Sequence, residues 1–189
     1  MVSWLSSSVA LCLDGDAILK ALGDSNVEIR RRALLSPELS ACYSSDADEK
    51  SCPPNPALFR RINGELIRLL SDRDPSVRRV AAEYLSVSTD ERAMRPLANL
   101  LGDQDEEVRK NASGAFIHTK TTDPAAIEGL ERLLKDRNKF VRMNAAMALG
   151  VSGTRSSLVA LRESFSRESE PDVRAVHAQA LTELEDRLR

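Results

Sequence analysis

The stretch Leu134–Gly150 reads LKDRNKFVRMNAAMALG, and its key residues return at intervals along the chain. The copies are Asp24–Asn26–Ile29–Arg30, Asp72–Asp74–Val77–Arg78, Asp103–Asp105–Val108–Arg109, Asp136–Asn138–Val141–Arg142 and Glu168–Glu170–Val173–Arg174. Successive Ile/Val positions lie 48, 31, 33 and 32 residues apart. A period of this size marks a solenoid of stacked helix pairs, each touching only its neighbours. An all-α chain of about five helix-turn-helix repeats is expected.

Working outward, the fourth unit shows the plan. Asp123 and Pro124 open its first helix, Asp as N-cap and Pro where a missing N–H costs nothing. Ile127, Leu130, Leu133 and Leu134 form one apolar stripe at helical period. Asp136–Asn138 makes the turn, Asn138 caps the second helix, Val141, Ala145, Ala148 and Leu149 face inward, and Gly150 is expected to stop it. The second and third units repeat this with Leu66, Leu69 and Leu70 before Val77, and Leu97, Leu100 and Leu101 before Val108. In the fifth unit the first helix runs out of phase, so its turn is expected to be one residue longer.

The expected division is an N-terminal cap over residues 1–14 and repeats over 15–35, 56–88, 89–121, 122–153 and 154–189, with an insertion loop at 36–55. That segment is rich in Ser, Asp and Pro, begins where Pro37 breaks the helical pattern, and explains the long first spacing. It is expected to be a mobile surface loop.

Aromatics are only 4% of the chain, so the core must come from Leu, Ala, Val and Ile. Net charge is −2, which supplies no global attraction for nucleic acid. No apolar run approaches the roughly 20 residues of a membrane-spanning helix. Residues 1–13 lack the basic start and cleavage site of a signal peptide. The odd count of cysteines, Cys12, Cys42 and Cys52, points to a reducing compartment and a cytoplasmic protein; a Cys42–Cys52 disulfide is the alternative if the chain is exported.

These units resemble HEAT-like repeats of the phycobilisome-lyase type, whose phrase Leu-x-Asp-x-Asp/Asn-x-x-Val-Arg-x-x-Ala-Ala-x-Ala-Leu-Gly is matched almost throughout by Leu134–Gly150. The resemblance implies a right-handed α-solenoid and is unspecific for function: relatives include bilin lyase subunits, phycobilisome-degradation factors, adaptors and many bacterial proteins. It also implies an Asp–Arg ladder between repeats, built from Asp24, Asp72, Asp103 and Asp136 with Arg30, Arg78, Arg109, Arg142 and Arg174. Physics agrees that these arginines want acceptors, since a cation in the first turn of a helix opposes the dipole. The other reading of the column is an anion-binding stripe.

No catalytic residue, metal centre or cofactor is expected. His118 and His177 have no Cys or Asp partner at metal spacing. His177 occupies the column of Ala33, Ala81, Ala112 and Ala145, and is expected to be tolerated there because no further unit packs on it. The expected binding surface is the concave face of the second helices, with Arg31, Arg32, Arg79, Glu83, Lys110, Asn111, Met143, Asn144 and Met147 pointing outward. It is basic early and Met-bearing late, which suits an acidic protein segment. The function expected is a non-catalytic scaffold or adaptor. The alternative, implied by the resemblance, is an accessory subunit for attaching or releasing a bilin chromophore; nucleic-acid binding ranks third.

Overall fold

The computed structural model describes residues 15–43, 56–88 and 90–189. Among these are eleven α-helices and no strand. They are α1 (Gly15–Leu22), α2 (Val27–Leu34), α3 (Pro37–Ala41), α4 (Pro56–Leu69), α5 (Pro75–Ser86), α6 (Met94–Asn99), α7 (Glu106–Gly114), α8 (Pro124–Leu133), α9 (Lys139–Ser152), α10 (Arg155–Arg167) and α11 (Pro171–Leu188). Two 3-10 turns, Glu91–Ala93 and Leu100–Gly102, extend α6 at both ends.

The turn chemistry starts the second helices. Asn26, Asp74, Asp105 and Asn138 have extended backbone and accept from the N–H two residues on, at 2.9, 2.8, 3.0 and 2.9 Å. Each satisfies an orphan donor worth about 1 kcal/mol. Glu170 takes the same place in front of α11 without a side-chain bond, and Pro171 sets the first helical position instead.

Second helices then stack in order, α2 on α5, α5 on α7, α7 on α9 and α9 on α11; first helices form the other layer, α1 on α4, α6 on α8 and α8 on α10. The core lies between the layers. Val77, Val108, Val141 and Val173 are fully buried, as are Ala81, Ala112 and Ala145 four residues later. Leu66, Leu69, Leu97, Leu130 and Leu149 fill the space from both layers, and Phe116 is the largest side chain fully enclosed among the described residues. Alanine in the stacking column lets neighbouring second helices approach closely, and each enclosed leucine contributes roughly 1.5–3 kcal/mol by leaving water.

Four details depart from the sequence expectations. The segment after α2 begins as ordered structure: Ser36 caps Pro37–Ala41, and Leu39 is fully buried. Ser-Pro here opens a helix rather than ending the pattern; residues 44–55 of the expected loop lie outside the described residues. Gly150 does not end α9, which continues to Ser152 and stops at Gly153. Gly150 is instead buried against α11, where a Cβ would lie 3.3 Å from the Cα of Ala180. The fifth turn is no longer than its counterparts, since α10 runs on to Arg167 and α11 starts at Pro171. His177 is fully buried, not displayed on an open end.

The expected cap over residues 1–14 lies outside the described residues, as do Cys12 and Cys52; Cys42 is buried. Among the described residues no helix is long and apolar enough to cross a membrane.

Candidate functional site

The arginine column sits at the edge where turns meet second helices. Arg30 donates through Nε and Nη2 to Asp72 at 2.8 and 3.0 Å. Arg78 does the same to Asp103, both at 2.8 Å. Arg109 grips Asp136 at 2.6 and 3.1 Å, and Arg142 grips Glu168 at 2.7 and 3.1 Å. In each case the third nitrogen, Nη1, donates back to two carbonyls of its own turn, for example those of Asp103 and Gln104 at 2.8 and 3.1 Å from Arg109. One guanidinium therefore binds its own turn and the next repeat's acid together, using a planar fork that a lysine lacks.

The acids are also held by their own turns. Asp72, Asp103 and Asp136 each accept the N–H two residues on, at 2.9 Å. Their side chains are 6, 8 and 6% exposed. Burial pushes the carboxyls of Asp103 and Asp136 upward, but the bonds from Arg78 and Arg109 and from the turn N–H groups outweigh it and hold both below the usual range. Arg142 does the same for Glu168, against burial.

Two ends of the column differ from the expected ladder. Asp24 accepts only the Asn26 N–H with its side chain, at 2.8 Å, and no arginine among the described residues reaches that carboxylate. Arg174 lies over the ring of Phe165 at 4.6 Å and meets no acid among the described residues. The acceptor that the ladder reading lacked is Glu168. The signal was in the sequence, since Glu168 opens the fifth copy of the phrase, three residues ahead of α11 as Asp136 stands three ahead of α9.

The face of the second helices carries the other candidates. Arg31, Arg32, Arg79 and Glu83 are exposed, and Lys110, Asn111, Met143, Asn144 and Met147 are partly exposed. Arg31 and Arg32 share Glu28 at 3.6 and 3.7 Å, a weak i,i+3/i,i+4 arrangement. Lys110 pairs with Glu107. Arg79 makes no ion pair among the described residues. Phe140, one turn before Met143, is 54% exposed, and Leu35 is 67% exposed. Phe140 was missed because it falls one residue before the Val column, a position the outward pattern did not include.

Asn111 and Asn144 do less for a ligand than their exposure suggests. The Asn111 amide donates to the Arg79 carbonyl and the Asn144 amide to the Lys110 carbonyl, each at 3.1 Å. They stitch α7 to α5 and α9 to α7. Gly114 leaves room for this, with the Asn144 amide nitrogen 3.7 Å from where its Cβ would stand.

His177 sits under the ladder between α9 and α11. Neither ring nitrogen has a hydrogen-bond partner among the described residues. Burial depresses its affinity for a proton; Glu168 and the Arg142 backbone oppose this without reversing it. No cluster of three or more potential metal ligands occurs among the described residues.

Comparison with known proteins fits this architecture. The complex of CpcE and CpcF, the phycocyanin lyase of Nostoc sp. PCC7120, superposes with a TM-score of 0.67 at 20% identity, covering 98% of this chain and 70% of that one. A computationally designed armadillo repeat protein for modular peptide recognition gives 0.67 at 21% identity, covering 88% and 80%. A designed armadillo protein in complex with the peptide (KR)4 gives 0.63 at 21%, covering 88% and 80%. At such identities the likeness establishes fold alone. No curated protein matches the sequence significantly. The family model for HEAT repeats matches residues 59–117 and 95–182, more than half of the chain. With the stacked pairs and bridged turns described above, this chain belongs to the HEAT repeat family.

Proposed function

We propose that this protein is a non-catalytic scaffold that binds an acidic protein segment along the concave face of its second helices. The observation that carries the reading is the run of cations on three consecutive second helices, Arg31 and Arg32 on α2, Arg79 on α5 and Lys110 on α7, with Arg79 exposed and unpaired among the described residues. It continues into partly exposed Met143 and Met147 and exposed Phe140 on α9. Met adapts its shape to apolar side chains of a partner, while the cations fix polarity and speed encounter. Repeat proteins of this shape are described for peptide recognition, and one is bound to a basic peptide. The sign of the charge here favours the opposite partner.

The test is capture of an acidic peptide bearing apolar residues at one end, measured by fluorescence anisotropy at two salt concentrations. Arg79→Glu with Lys110→Glu is expected to weaken binding at least about tenfold, or 1.4 kcal/mol, and to leave the thermal midpoint nearly unchanged. Unchanged binding by the doubly reversed protein sinks the proposal.

A second reading rests on the match of 98% of the chain to a phycocyanin lyase component. It makes the protein an accessory to bilin attachment or release. Mixing the protein with bilin and a phycobiliprotein, and recording the visible spectrum, tests it; a spectrum equal to the sum of the parts removes it.

A further inference from the structure

The large apolar side chains of the second-helix face run along one helix rather than across the stack. On α9, Phe140 is 54% exposed, and Met143, Met147 and Val151 are partly exposed. They recur at i, i+3, i+7 and i+11, which places all four within about 80° of the helix circumference. From Phe140 to Val151 the stripe is about 16 Å long at the rise of an α-helix. At the levels of Phe140, Met143 and Met147, α7 carries Glu107, Lys110 and Gly114, and α11 carries Asp172, Ala175 and Gln179. Neither neighbour continues the stripe with a large apolar side chain at those levels.

An extended segment crossing the helices needs side chains that read its backbone. Asn111 and Asn144 stand in the right column for that, but their amides donate to the carbonyls of Arg79 and Lys110 at 3.1 Å. A helical segment satisfies its own backbone and needs only side-chain contacts. Met143, Met147 and Val151 form an i, i+4 row, the kind of ridge that packs into the groove of another helix. Gly114 and Ala175 beside the row carry little side chain, which leaves a second helix room to approach. Charge is placed unevenly along the stripe. Level with Met143 stand Lys110 on α7 and Arg79 on α5; Lys110 shares Glu107, while Arg79 has no ion pair among the described residues. One turn on, level with Met147, α5 carries Glu83 instead. On the α11 flank Lys139 and Asp172 neutralise each other at 2.8 Å. Acids on a partner are therefore favoured on the α7 flank beside Met143 and not beside Met147.

We infer that the partner segment binds as an amphipathic α-helix laid along α9, with apolar anchors spaced i, i+3 or i+4 and i+7 on Phe140, Met143 and Met147, and with acids at one end facing Lys110 and Arg79. This rests on the reading above that an acidic segment occupies the second-helix face. It adds the conformation of that segment, the helix it follows and the spacing its sequence must have. The apolar row supplies the contact area, and the uneven charge sets which end of the partner lies at which end of α9.

Labelled acidic peptides of about 15 residues test this with the whole protein, because helices of that length are marginal when free and their folding on binding can be read. One peptide sets leucines at helical spacing with its acids at one end of the apolar face. A second has the same composition in alternating, strand-like order, and a third is the first with a central proline. Fluorescence anisotropy gives the affinities, and far-ultraviolet circular dichroism of the mixture against its parts gives the helix gained. The first peptide is expected to bind at least about tenfold more tightly than the other two, or 1.4 kcal/mol, and to gain helix on binding. Met143→Gln with Met147→Gln keeps a good helix former at both positions and is expected to weaken that peptide at least about tenfold. Should the double change lower the unfolding midpoint, Phe140→Gln, at the most exposed anchor, replaces it. Equal binding by the alternating peptide, binding without gain of helix, or binding that the glutamine variant leaves unchanged overturns this inference while the acidic-segment reading stands. Failure of every peptide to bind removes both.

Discussion

The interior pair Arg109–Asp136 is the place to measure what the ladder contributes. The perturbation is a double-mutant cycle of Arg109→Met, Asp136→Asn and both together. The two single changes are unequal. Arg109→Met strands a carboxylate that is 6% exposed, leaving it the Asn138 N–H as its one short bond; removing one partner of a buried pair costs about 3–5 kcal/mol. Asp136→Asn keeps the acceptor for Asn138 and leaves the guanidinium two carbonyls of its own turn, Asp103 at 2.8 Å and Gln104 at 3.1 Å. Its expected cost is lower, about 2 kcal/mol. With both changed, no charge remains to be stranded, so the losses should not add, and a coupling of about 2 kcal/mol is expected. In a chain of this length the first single change lowers the thermal midpoint by roughly 6–20 °C. Chemical denaturation at neutral pH supplies the free energies, and the exposed inter-repeat pair Lys139–Asp172, at 39 and 48% side-chain exposure, is the internal control. That control should couple by less than about 1 kcal/mol and weaken with salt, whereas the ladder pair should not. A ladder coupling below about 0.5 kcal/mol, no larger than the control, refutes the account of the arginine column as the device that joins repeats.

Other expectations concern the last two repeats. Gly150→Ala inserts a methyl 3.3 Å from the Ala180 Cα and 2.9 Å from the Glu183 carboxylate; Glu183 can swing aside but the backbone of α11 cannot, so a loss of about 1–3 kcal/mol is expected by thermal unfolding despite alanine's better helix propensity. His177 has a folded-state proton affinity depressed by burial below its ordinary value of 6.5, with Glu168 and Arg142 the charged groups facing it. The unfolded chain therefore takes the proton first, and its contribution to stability is intact above about 6.5 and lost as pH falls below it, at no more than about 1.4 kcal/mol per pH unit. His177→Leu removes both unpartnered nitrogens, and should raise stability by about 1 kcal/mol and flatten the slope just below pH 6.5; an unchanged slope in urea titrations refutes the assignment. Below about 4 the depressed Asp103, Asp136 and Glu168 carboxyls add a second loss that the His177 variant retains, because they too bind protons more readily in the unfolded chain.

Much of the architecture was legible in the chain because its causes are local. A cap needs an acceptor two residues before an N–H, a second helix needs apolar residues at its own period, and both requirements are written within one turn. The Val and Ala columns, the capping Asn and Asp residues, and the outward cations of α2 and α5 follow from such spacing. Stacking was different. Whether Gly150 ended a helix or admitted a neighbour depended on α11 crossing close to it, and nothing near Gly150 records that approach. His177 read as an end residue, yet the packing of α11 on α9 encloses it. Asn111 and Asn144 read as outward residues of the binding face, and the offset between second helices turned their amides onto the preceding helix's carbonyls. Glu168 shows both levels at once: the sequence determined that an acid opens every copy of the repeated phrase, and the tertiary structure decided which arginine each acid meets. The reason is range. Backbone hydrogen bonds and helical period act within a few residues, while an ion pair between residues some 26 positions apart exists only once two repeats have stacked at one rise and one offset.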